Sequence, residues 1–312
     1  MLTIAIPTFN RVERLINCLS ALDAELTRDV YDTEIEVIVS DNFSQDTTWS
    51  YLQNFKFTNG RIRFTALKND KNLGSVANIK KIIVASRGAH ILWCTDDDYI
   101  LPGSLRYLVT LIKDKNPSYL KTSLIMYLEN SKEASYYGSR TDLWHPEFSA
   151  RNFMGIFKYS HILTGTIISK EIAEAWLELD SSNCYPSSMW CALATNSRNL
   201  VATPCFIHTW ENQIYWELDV KVESNIVDSK FLLESEQTAL CLALAEIKSF
   251  EDSIYIREFY FKSRLSLIKI LDDCLPRIPI SRLLKYQLHF IFKSTISKLL
   301  RYFLGKSAKP KD

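Results

Sequence analysis

The sequence predicts an α/β fold in which helices flank a mostly parallel β-sheet. Short apolar runs at residues 2–6, 34–40, 61–65 and 90–94 are typical of buried strands. Between them lie segments in which apolar residues recur at helical spacing. Strands that alternate with helices in this way form right-handed crossovers, and these place the strands parallel to one another.

The helices follow from the residues between these runs. Leu15, Cys18, Leu19 and Leu22 share one face of a helix after the first strand. Residues 44–46 suit a cap for a helix that runs to about residue 55, and residues 68–74 form a polar loop before a helix at 76–85. A further helix is expected to begin near Ser104, and a strand at 163–168 leads into a helix at Ser169.

Composition restricts the class of protein. The chain has 312 residues, of which 47% are hydrophobic and 12% aromatic, enough for a large core and against general disorder. Seven cysteines form no CxxC pair and no zinc spacing, which favours reduced, buried thiols. We find neither a signal peptide nor a stretch apolar enough to span a bilayer, and therefore expect a cytoplasmic protein.

The C-terminal segment differs electrostatically from the rest. Residues 282–312 contain eight Lys or Arg and one acid, and residues 282–304 have the pattern of a basic amphipathic helix. Such a helix can lie on an anionic membrane surface or pack against protein. The pattern leaves both alternatives open.

Polar side chains follow each of the four predicted strands. They are Thr8, Asn10 and Arg11, then Asp41 and Asn42, then Lys68 and Asn72, and finally Asp96, Asp97 and Asp98. Ligands of parallel sheets bind at the carboxyl ends of the strands, and this mixture of groups suits a nucleoside diphosphate with a metal ion. No GxGxxG motif follows the first strand and no GxxxxGK[ST] motif occurs, which disfavours a dinucleotide oxidoreductase and a P-loop enzyme.

The run Asp96-Asp97-Asp98 requires an explanation because adjacent carboxylates repel one another. A bound divalent cation would neutralise them and bridge to phosphate. The alternative is a solvated acidic turn that caps the helix beginning near Ser104.

In combination, these motifs resemble family 2 glycosyltransferases of the GT-A (Rossmann-like) fold. The motifs are IAIPTFNR at 4–11, VSDNFSQDT at 39–47, NLG at 72–74 with Asn78, and DDD at 96–98 with Pro102. The resemblance covers roughly residues 1–115. The TDDDYILPGSL form is similar to bacterial sugar transferases of O-antigen or capsule synthesis, including an abequosyltransferase-like group.

The resemblance implies roles for individual residues. Pro7, Thr8 and Arg11 would line the nucleotide pocket, Asp41 would bind the base, and Asn72 and Gly74 would shape the donor loop. Asn10 and Lys68 join this nucleotide-sugar set by their place at the strand ends.

The acid cluster would be the DxD element, which holds ribose and a Mn²⁺ or Mg²⁺ ion on the diphosphate. Counting back from Pro102 permits Asp97 or Asp98 as the main metal ligand. We favour Asp96 and Asp98 as ligands, with Asp96 and Asp97 also contacting the nucleotide sugar.

The resemblance also divides the chain. Residues 1–220 would form the GT-A domain, with a nucleotide-sugar half at 1–115 and an acceptor half at 116–220, and residues 221–312 a helical C-terminal region.

The general base of an inverting transferase is not obvious. Segment 183–194, where the family commonly has an acid, contains none. Asp180 and Glu211 are the candidates for the base, and His208 is a candidate base or third metal ligand, with a buried structural histidine as the alternative. Among the aromatic residues of this half, Trp210 and Trp216 are the candidates for stacking on an acceptor sugar.

The sequence thus predicts a metal-dependent hexosyl- or deoxyhexosyltransferase. It would move a sugar, with inversion, from a nucleotide-diphosphate donor to a saccharide acceptor, lipid-linked, in bacterial surface polysaccharide synthesis. The alternative is a catalytically silent nucleotide-sugar-binding subunit. A nucleotidyltransferase is disfavoured because no Gly-rich loop follows the first strand, and no nucleic-acid module accompanies the basic tail.

Overall fold

The computed structural model describes residues 1–128, 133–138, 143–145, 150–157, 159–179, 186–197, 200–211 and Ala239. The predictions about Asp180, Trp216, the boundary at residue 220 and the 282–304 helix lie outside the described residues.

Strands and helices alternate through the first half of the chain. The elements are β1 (Leu2–Thr8), α1 (Val12–Arg28), β2 (Ile35–Asp41), α2 (Thr48–Asn54), β3 (Arg63–Lys68), α3 (Ser75–Ala85) and β4 (His90–Trp93). The next are β5 (Asp98–Ile100), α4 (Ser104–Lys115), β6 (Tyr119–Leu128), β7 (Glu133–Tyr137) and β8 (Leu143–His145). The last are α5 (Ala150–Phe157), β9 (Thr166–Ser169), α6 (Lys170–Leu177), α7 (Pro186–Leu193), a 3-10 turn (Ala194–Ser197) and β10 (Leu200–Glu211).

One mixed sheet contains the described strands in the order β3-β2-β1-β4-β9-β6-β10-β5, with β7 on β6 and β8 on β10. The pairs β1/β2, β2/β3, β1/β4 and β6/β10 are parallel, whereas β9 runs antiparallel to β4 and β6, and β5 antiparallel to β10. The prediction of a mostly parallel sheet flanked by helices is confirmed.

The core lies between this sheet and its helices. Leu15, Cys18, Leu19 and Leu22 of α1 are buried as their spacing predicts, and they join the apolar residues of β1 and β2. Each buried Leu or Ile contributes roughly 1.5–3 kcal/mol relative to the exposed side chain, so this layer fixes α1 over the first strands. Because Arg11 directly precedes α1, the core also fixes the position of that arginine.

The structure differs from the predicted elements at two places that bear on function. Lys68 is the last residue of β3 and does not open the following loop. Asp98 begins β5, whereas no strand was predicted between the acid cluster and the helix near Ser104. Aspartate is rare in strands. β5 forms because Asp98 pairs with Thr209 of β10, a partner that the local sequence cannot indicate.

One hydroxyl side chain and one carboxyl side chain each stabilise the start of a helix. The predicted helix at Ser169 is α6, and Ser169 caps it by accepting a hydrogen bond from Ile172 N at 3.3 Å. The buried Glu25 of α1 accepts hydrogen bonds from Gly103 N and Leu105 N at the start of α4. Glu25, and not the acid cluster, therefore bonds the start of α4.

Cys18, Cys94 and Cys191 are free and buried. No helix in the described part of the chain is long and apolar enough to cross a bilayer.

Candidate active site

The carboxyl ends of β1, β2 and β3 meet at one edge of the sheet. Thr8 at the end of β1 pairs with Asp41 at the end of β2, and Asp41 pairs with Lys68 at the end of β3. Backbone hydrogen bonds continue past the strands, from Asn42 N to Thr8 O at 3.0 Å and from Asn69 N to Asp41 O at 2.9 Å. The parallel register thus brings the predicted polar loops together.

Asp96 is buried between two residues of the β1 loop. Its Oδ2 accepts a hydrogen bond from Thr8 Oγ1 at 2.6 Å, and its Oδ1 lies 3.3 Å from Arg11 Nη1. Burial raises the pKa of Asp96 to about 6, while the adjacent Arg11 opposes the rise. The charge state of this carboxyl therefore changes close to neutral pH.

Asp97 faces two guanidinium groups. Its Oδ2 lies 3.1 Å from Arg11 Nη1 and 3.3 Å from Arg14 Nη1. With 21% of its side chain accessible, compared with 4% for Asp96, it is the carboxylate more open to a ligand from solvent.

Asp98 accepts hydrogen bonds from two hydroxyl groups. Thr95 Oγ1 donates to its Oδ2 at 2.5 Å, and Thr164 Oγ1 donates to the same oxygen. Burial, with the neighbouring Asp97 charge, raises the pKa of Asp98 well above the usual range of a carboxyl. This residue thus ties the acid cluster to the segment before β9.

A buried lysine supports that segment. Lys121 Nζ of β6 donates hydrogen bonds to Ile162 O at 2.6 Å, Thr164 O at 2.7 Å and Thr166 Oγ1 at 3.1 Å. Burial lowers the pKa of Lys121 to about 7. Lys121 therefore fixes Thr164, which in turn contacts Asp98.

Asp41 is completely buried at the end of β2. Its Oδ1 accepts a hydrogen bond from Ser44 N at 2.8 Å, whereas its Oδ2 has no hydrogen-bond partner. Buried polar atoms are nearly always hydrogen-bonded, and an orphaned acceptor in a loop site indicates a missing donor.

Asn10 joins the first two loops. Asn10 N donates to Ser44 Oγ at 2.8 Å, and Asn10 Oδ1 accepts from Gln45 N at 2.7 Å. Asn10 has a φ of 54°, a left-handed conformation that asparagine tolerates better than most residues. Its contacts here are structural ones between the loops.

A network of side-chain amides orders the loop after β3. Asn42 Nδ2 donates to Asn72 Oδ1 at 2.8 Å, while Asn69 Nδ2 donates to Asn42 Oδ1 at 2.9 Å and to Asn78 Oδ1 at 3.1 Å. Asn72 Oδ1 also accepts from Gly74 N at 2.9 Å, and Gly74 has a φ of 81° directly before α3. The predicted donor loop is therefore fixed against β2 by hydrogen bonds.

The other residues predicted for the site lie in β1, β3 and β10. Pro7 is half-buried within β1, and Lys68 Nζ lies 5.4 Å from the centre of the Trp49 ring. His208 pairs in register with Tyr99 of β5 and Ile125 of β6, and Glu211 ends β10 opposite Leu128. The backbone of β10 is thus next to the strand that begins at Asp98. Trp176 and Trp190 are buried in the core.

A family model described as glycosyl transferase family 2 matches residues 3–176, more than half of the chain. The chain belongs to glycosyl transferase family 2. The match includes the loops that carry Thr8, Asp41 and Asp96–Asp98, so the resemblance inferred from the motifs is confirmed.

A curated relative comes from Campylobacter jejuni and is named GalNAc(5)-diNAcBac-PP-undecaprenol beta-1,3-glucosyltransferase. It is 29% identical over 170 residues, which are 51% of this chain and 52% of the relative. The chain therefore spans about half the length of the curated relative that it matches.

Solved structures with the same fold include residues 1–349 of TarS from S. aureus. The complex of that protein with UDP superposes with a TM-score of 0.62 at 14% identity, covering 90% of this chain and 82% of that chain. The complex with UDP-GlcNAc gives a TM-score of 0.60 over the same shares, again at 14% identity. These similarities confirm the GT-A fold of the family 2 chain.

Sequence reasoning missed several residues of the site. Arg14 follows Arg11 at helical spacing, and this spacing was the available signal. Thr95 and Thr164 contact Asp98 through their hydroxyl groups, and Lys121 supports Thr164 through its carbonyl. The contacts of Thr164 and Lys121 arise from tertiary packing and have no local signal in the sequence. The roles predicted for the nucleotide-binding and catalytic residues stay predictions.

Proposed function

We propose that the protein transfers a sugar from a nucleoside diphosphate donor to a saccharide acceptor, with inversion at the anomeric carbon. The orphaned Oδ2 of Asp41 carries the donor part of this proposal, because it is a fully buried acceptor in the loop that the family motif assigns to the base. Membership of glycosyl transferase family 2 supports the reaction class.

The hydrogen bonds available to Asp41 favour a nucleobase with a ring N–H group. An ionised carboxylate only accepts hydrogen bonds, and Asp41 Oδ1 is already engaged by Ser44 N. Uracil, thymine and guanine each present a ring N–H, whereas the ring nitrogen of cytosine at the matching position is an acceptor. UDP is our first choice, supported by the UDP complex of a protein with the same fold.

The residues present fit a divalent cation. Within the described ranges, no three His, Cys, Asp or Glu side chains form a ready metal cluster, so a cation would take further ligands from phosphate and water. Asp96 and Asp97 supply adjacent carboxylates, and Asp98 Oδ2 already accepts two hydroxyl donors. The predicted pair Asp96 and Asp98 remains a prediction, and the greater accessibility of Asp97, 21% of its side chain compared with 5% of the whole residue for the buried Asp98, favours Asp97 as the second ligand.

A bound Mn²⁺ or Mg²⁺ ion would stabilise the negative charge of the departing diphosphate. The chain itself holds Asp96 by Thr8 and positions Arg11 beside the same carboxylates. An acceptor hydroxyl must lose its proton as the sugar is transferred, and Asp180 and Glu211 remain the proposed bases, with His208 as base or metal ligand.

The acceptor is proposed to be a lipid-linked saccharide of a bacterial surface polysaccharide such as O-antigen or capsule. The relative from C. jejuni, whose name specifies a glucosyl transfer to a GalNAc-containing PP-undecaprenol glycan, supports this class of acceptor. Trp210 and Trp216 would stack on the acceptor sugar, and residues 282–304 would rest on the inner face of the membrane. The transferred sugar would be a hexose or deoxyhexose.

Calorimetric titration tests the donor site. UDP, GDP, CDP and dTDP are titrated with and without Mn²⁺ into the wild type, Asp41→Asn and the control Asp32→Asn, whose side chain is 83% exposed and paired with Lys113. We expect UDP to bind best and to bind about tenfold more weakly to Asp41→Asn, with the control unchanged. Failure of the folded wild type to bind any of the nucleotides would refute the donor site.

Turnover separates a transferase from a silent binding subunit. We expect the wild type to release UDP slowly from UDP-sugars by hydrolysis in the presence of Mn²⁺, and Asp97→Asn to lose more of this activity than Asp98→Asn. UDP binding without any release of sugar, with lipid-linked acceptors also present, would favour the binding-subunit alternative.

A further inference from the structure

The strand β3 and its flanking residues carry a concentration of positive charge. Residues 56–81 contain seven Lys or Arg and one acid, in a chain whose formal net charge is +1. β3 is the first strand in the order of the sheet, and among the described strands it pairs with β2 alone. Five exposed basic residues follow this edge, and we call them the β3 basic edge: Lys56, Arg61, Arg63, Lys68 and Lys71.

The acids near the β3 basic edge do not pair with it. In the described part of the chain, no carboxylate forms an ion pair with any of the five side chains. Glu36 lies opposite Arg63 in the register of β2 and β3, but it is buried and its Oε2 accepts two other hydrogen bonds. Both oxygens of Asp23 accept hydrogen bonds from Thr58, at 2.9 Å and 2.7 Å. The positive charge of this edge is therefore available to a partner.

An exposed apolar side chain follows the last of these basic residues. Leu73 lies two residues after Lys71 and is 45% exposed. Its backbone N donates a hydrogen bond to Asn42 Oδ1 at 3.0 Å, which fixes the residue in its loop. Basic residues beside an exposed large apolar side chain are typical of surfaces that bind the interface of an anionic bilayer, where the charges meet the headgroups and the apolar group enters the acyl boundary.

We propose that the β3 basic edge, together with Leu73, docks the protein onto an anionic phospholipid surface. This inference rests on the proposed function, because an acceptor linked to a lipid is reached from a membrane. It adds a docking surface on the catalytic domain to the one proposed for residues 282–304. Each basic residue near such a surface raises the affinity about fivefold.

Co-sedimentation of the full chain with vesicles tests the docking surface. One set of vesicles contains phosphatidylglycerol and phosphatidylcholine, and the other contains phosphatidylcholine alone. The edge variant combines Lys56→Gln, Arg61→Gln and Arg63→Gln, at the end of β3 away from the candidate active site. The control variant removes the same charge from exposed residues of α1 and α4 by Arg28→Gln, Arg106→Gln and Lys113→Gln.

We expect the edge variant to bind the anionic vesicles about a hundredfold more weakly than the wild type, and the control variant to match the wild type within about twofold. Equal losses in the two variants would show that net charge alone acts, and would overturn the inference. An edge variant with unchanged affinity would leave the charges as protection of an edge strand against pairing, and would also overturn it.

A short single-stranded RNA distinguishes a membrane from another polyanion. Leu73→Ser should weaken binding to the anionic vesicles several-fold, because the apolar contact is lost while the charge is kept. RNA that binds as tightly as the vesicles, with a loss in the edge variant and none in Leu73→Ser, would assign the surface to nucleic acid and overturn the inference.

UDP titration without vesicles separates this inference from the proposed function. We expect the edge variant to bind UDP as the wild type does. A wild type that binds UDP but no anionic vesicle would refute the docking surface and leave the donor site standing. A wild type that binds the vesicles through this edge but binds no nucleotide would refute the donor site alone.

Discussion

Thr8 Oγ1 donates a 2.6 Å hydrogen bond to Asp96 Oδ2, which joins the ends of β1 and β4 across 88 positions of sequence. The two strands are direct parallel neighbours, so the loops that follow them must meet. This contact connects the loop assigned to the nucleotide with the acid cluster.

Thr8→Val tests this connection. The valine is close in shape but cannot donate, so the buried carboxylate of Asp96 loses a charge-assisted hydrogen bond worth about 1.5–3 kcal/mol. We expect UDP to bind at least about tenfold more weakly and the pKa of Asp96 to rise further, because the Thr8 hydroxyl lowers it. Calorimetry over a pH series measures both effects. Thr8→Ser keeps the hydroxyl and should restore binding, and a Thr8→Val protein with unaltered affinity would contradict the prediction.

The pKa of Asp96 predicts opposite effects of pH on binding and on stability. Burial raises this pKa from 3.8 to about 6, so the carboxylate needed for donor binding forms only as the pH rises through about 6. Between those two values the folded protein holds a proton that the unfolded chain has lost, and the contribution of Asp96 to stability is therefore lost as the pH rises.

Urea denaturation of the wild type and of Asp96→Asn at pH 4 and pH 7 measures the stability effect. We expect the free energy of unfolding of the wild type, relative to the variant, to fall by about 1–3 kcal/mol between the two pH values. UDP affinity of the wild type should increase over the same interval. A difference between the proteins that does not change with pH would rule out the raised pKa.

The lowered pKa of Lys121 predicts that the free energy of unfolding changes with pH in the opposite direction. Burial lowers its pKa from 10.5 to about 7, so between these values the unfolded chain holds a proton that the folded protein lacks. The lysine's contribution to stability should therefore rise with pH, with a slope on the order of 1.4 kcal/mol per pH unit. Lys121→Met removes this slope, and urea denaturation at pH 7 and pH 9 compares the two proteins.

Lys121→Met should also lower the free energy of unfolding at pH 9 by about 2–4 kcal/mol, because Ile162 O and Thr164 O lose a hydrogen-bond donor. Lys80→Met, at a lysine only partly buried on α3, serves as the control. Identical pH slopes in the wild type and in Lys121→Met would refute the assignment.

Gly165 is predicted to be sensitive to substitution. It has a φ of 75°, and a Cβ atom there would lie 2.0 Å from Thr122 Oγ1. We expect Gly165→Ala to destabilise the protein by about 1–3 kcal/mol, because alanine is strained at this positive φ and the Thr122 side chain must move away. Gly60→Ala is the matched control because no atom lies within 4 Å of its added Cβ. Thermal denaturation measures both, and equal transition temperatures would contradict the expected clash.

The sequence by itself determined the order of the first strands and helices and the residues at the strand ends. Each of these features is local. The alternation of apolar runs, the helical spacing of Leu15, Cys18, Leu19 and Leu22, and the position of Asp41 directly after a strand can all be read within a few residues. Because parallel neighbours align their carboxyl ends, Thr8, Asp41 and Asp96 could be placed at one edge before any coordinates were known.

Only the tertiary structure decided how the three adjacent carboxylates differ. In the sequence Asp96, Asp97 and Asp98 are equivalent acids in a row, and the register of the motif stayed open. In the folded protein Asp96 contacts Thr8 and Arg11. Asp97 pairs with Arg11 and Arg14. Asp98 accepts hydrogen bonds from Thr95 and Thr164. The last of these partners comes from a segment that follows α5, and Lys121 of β6 holds it in place. Hydrogen bonds and burial depend on groups that are distant along the chain, and for that reason the accessibility and charge of each acid could not be derived from the motif alone.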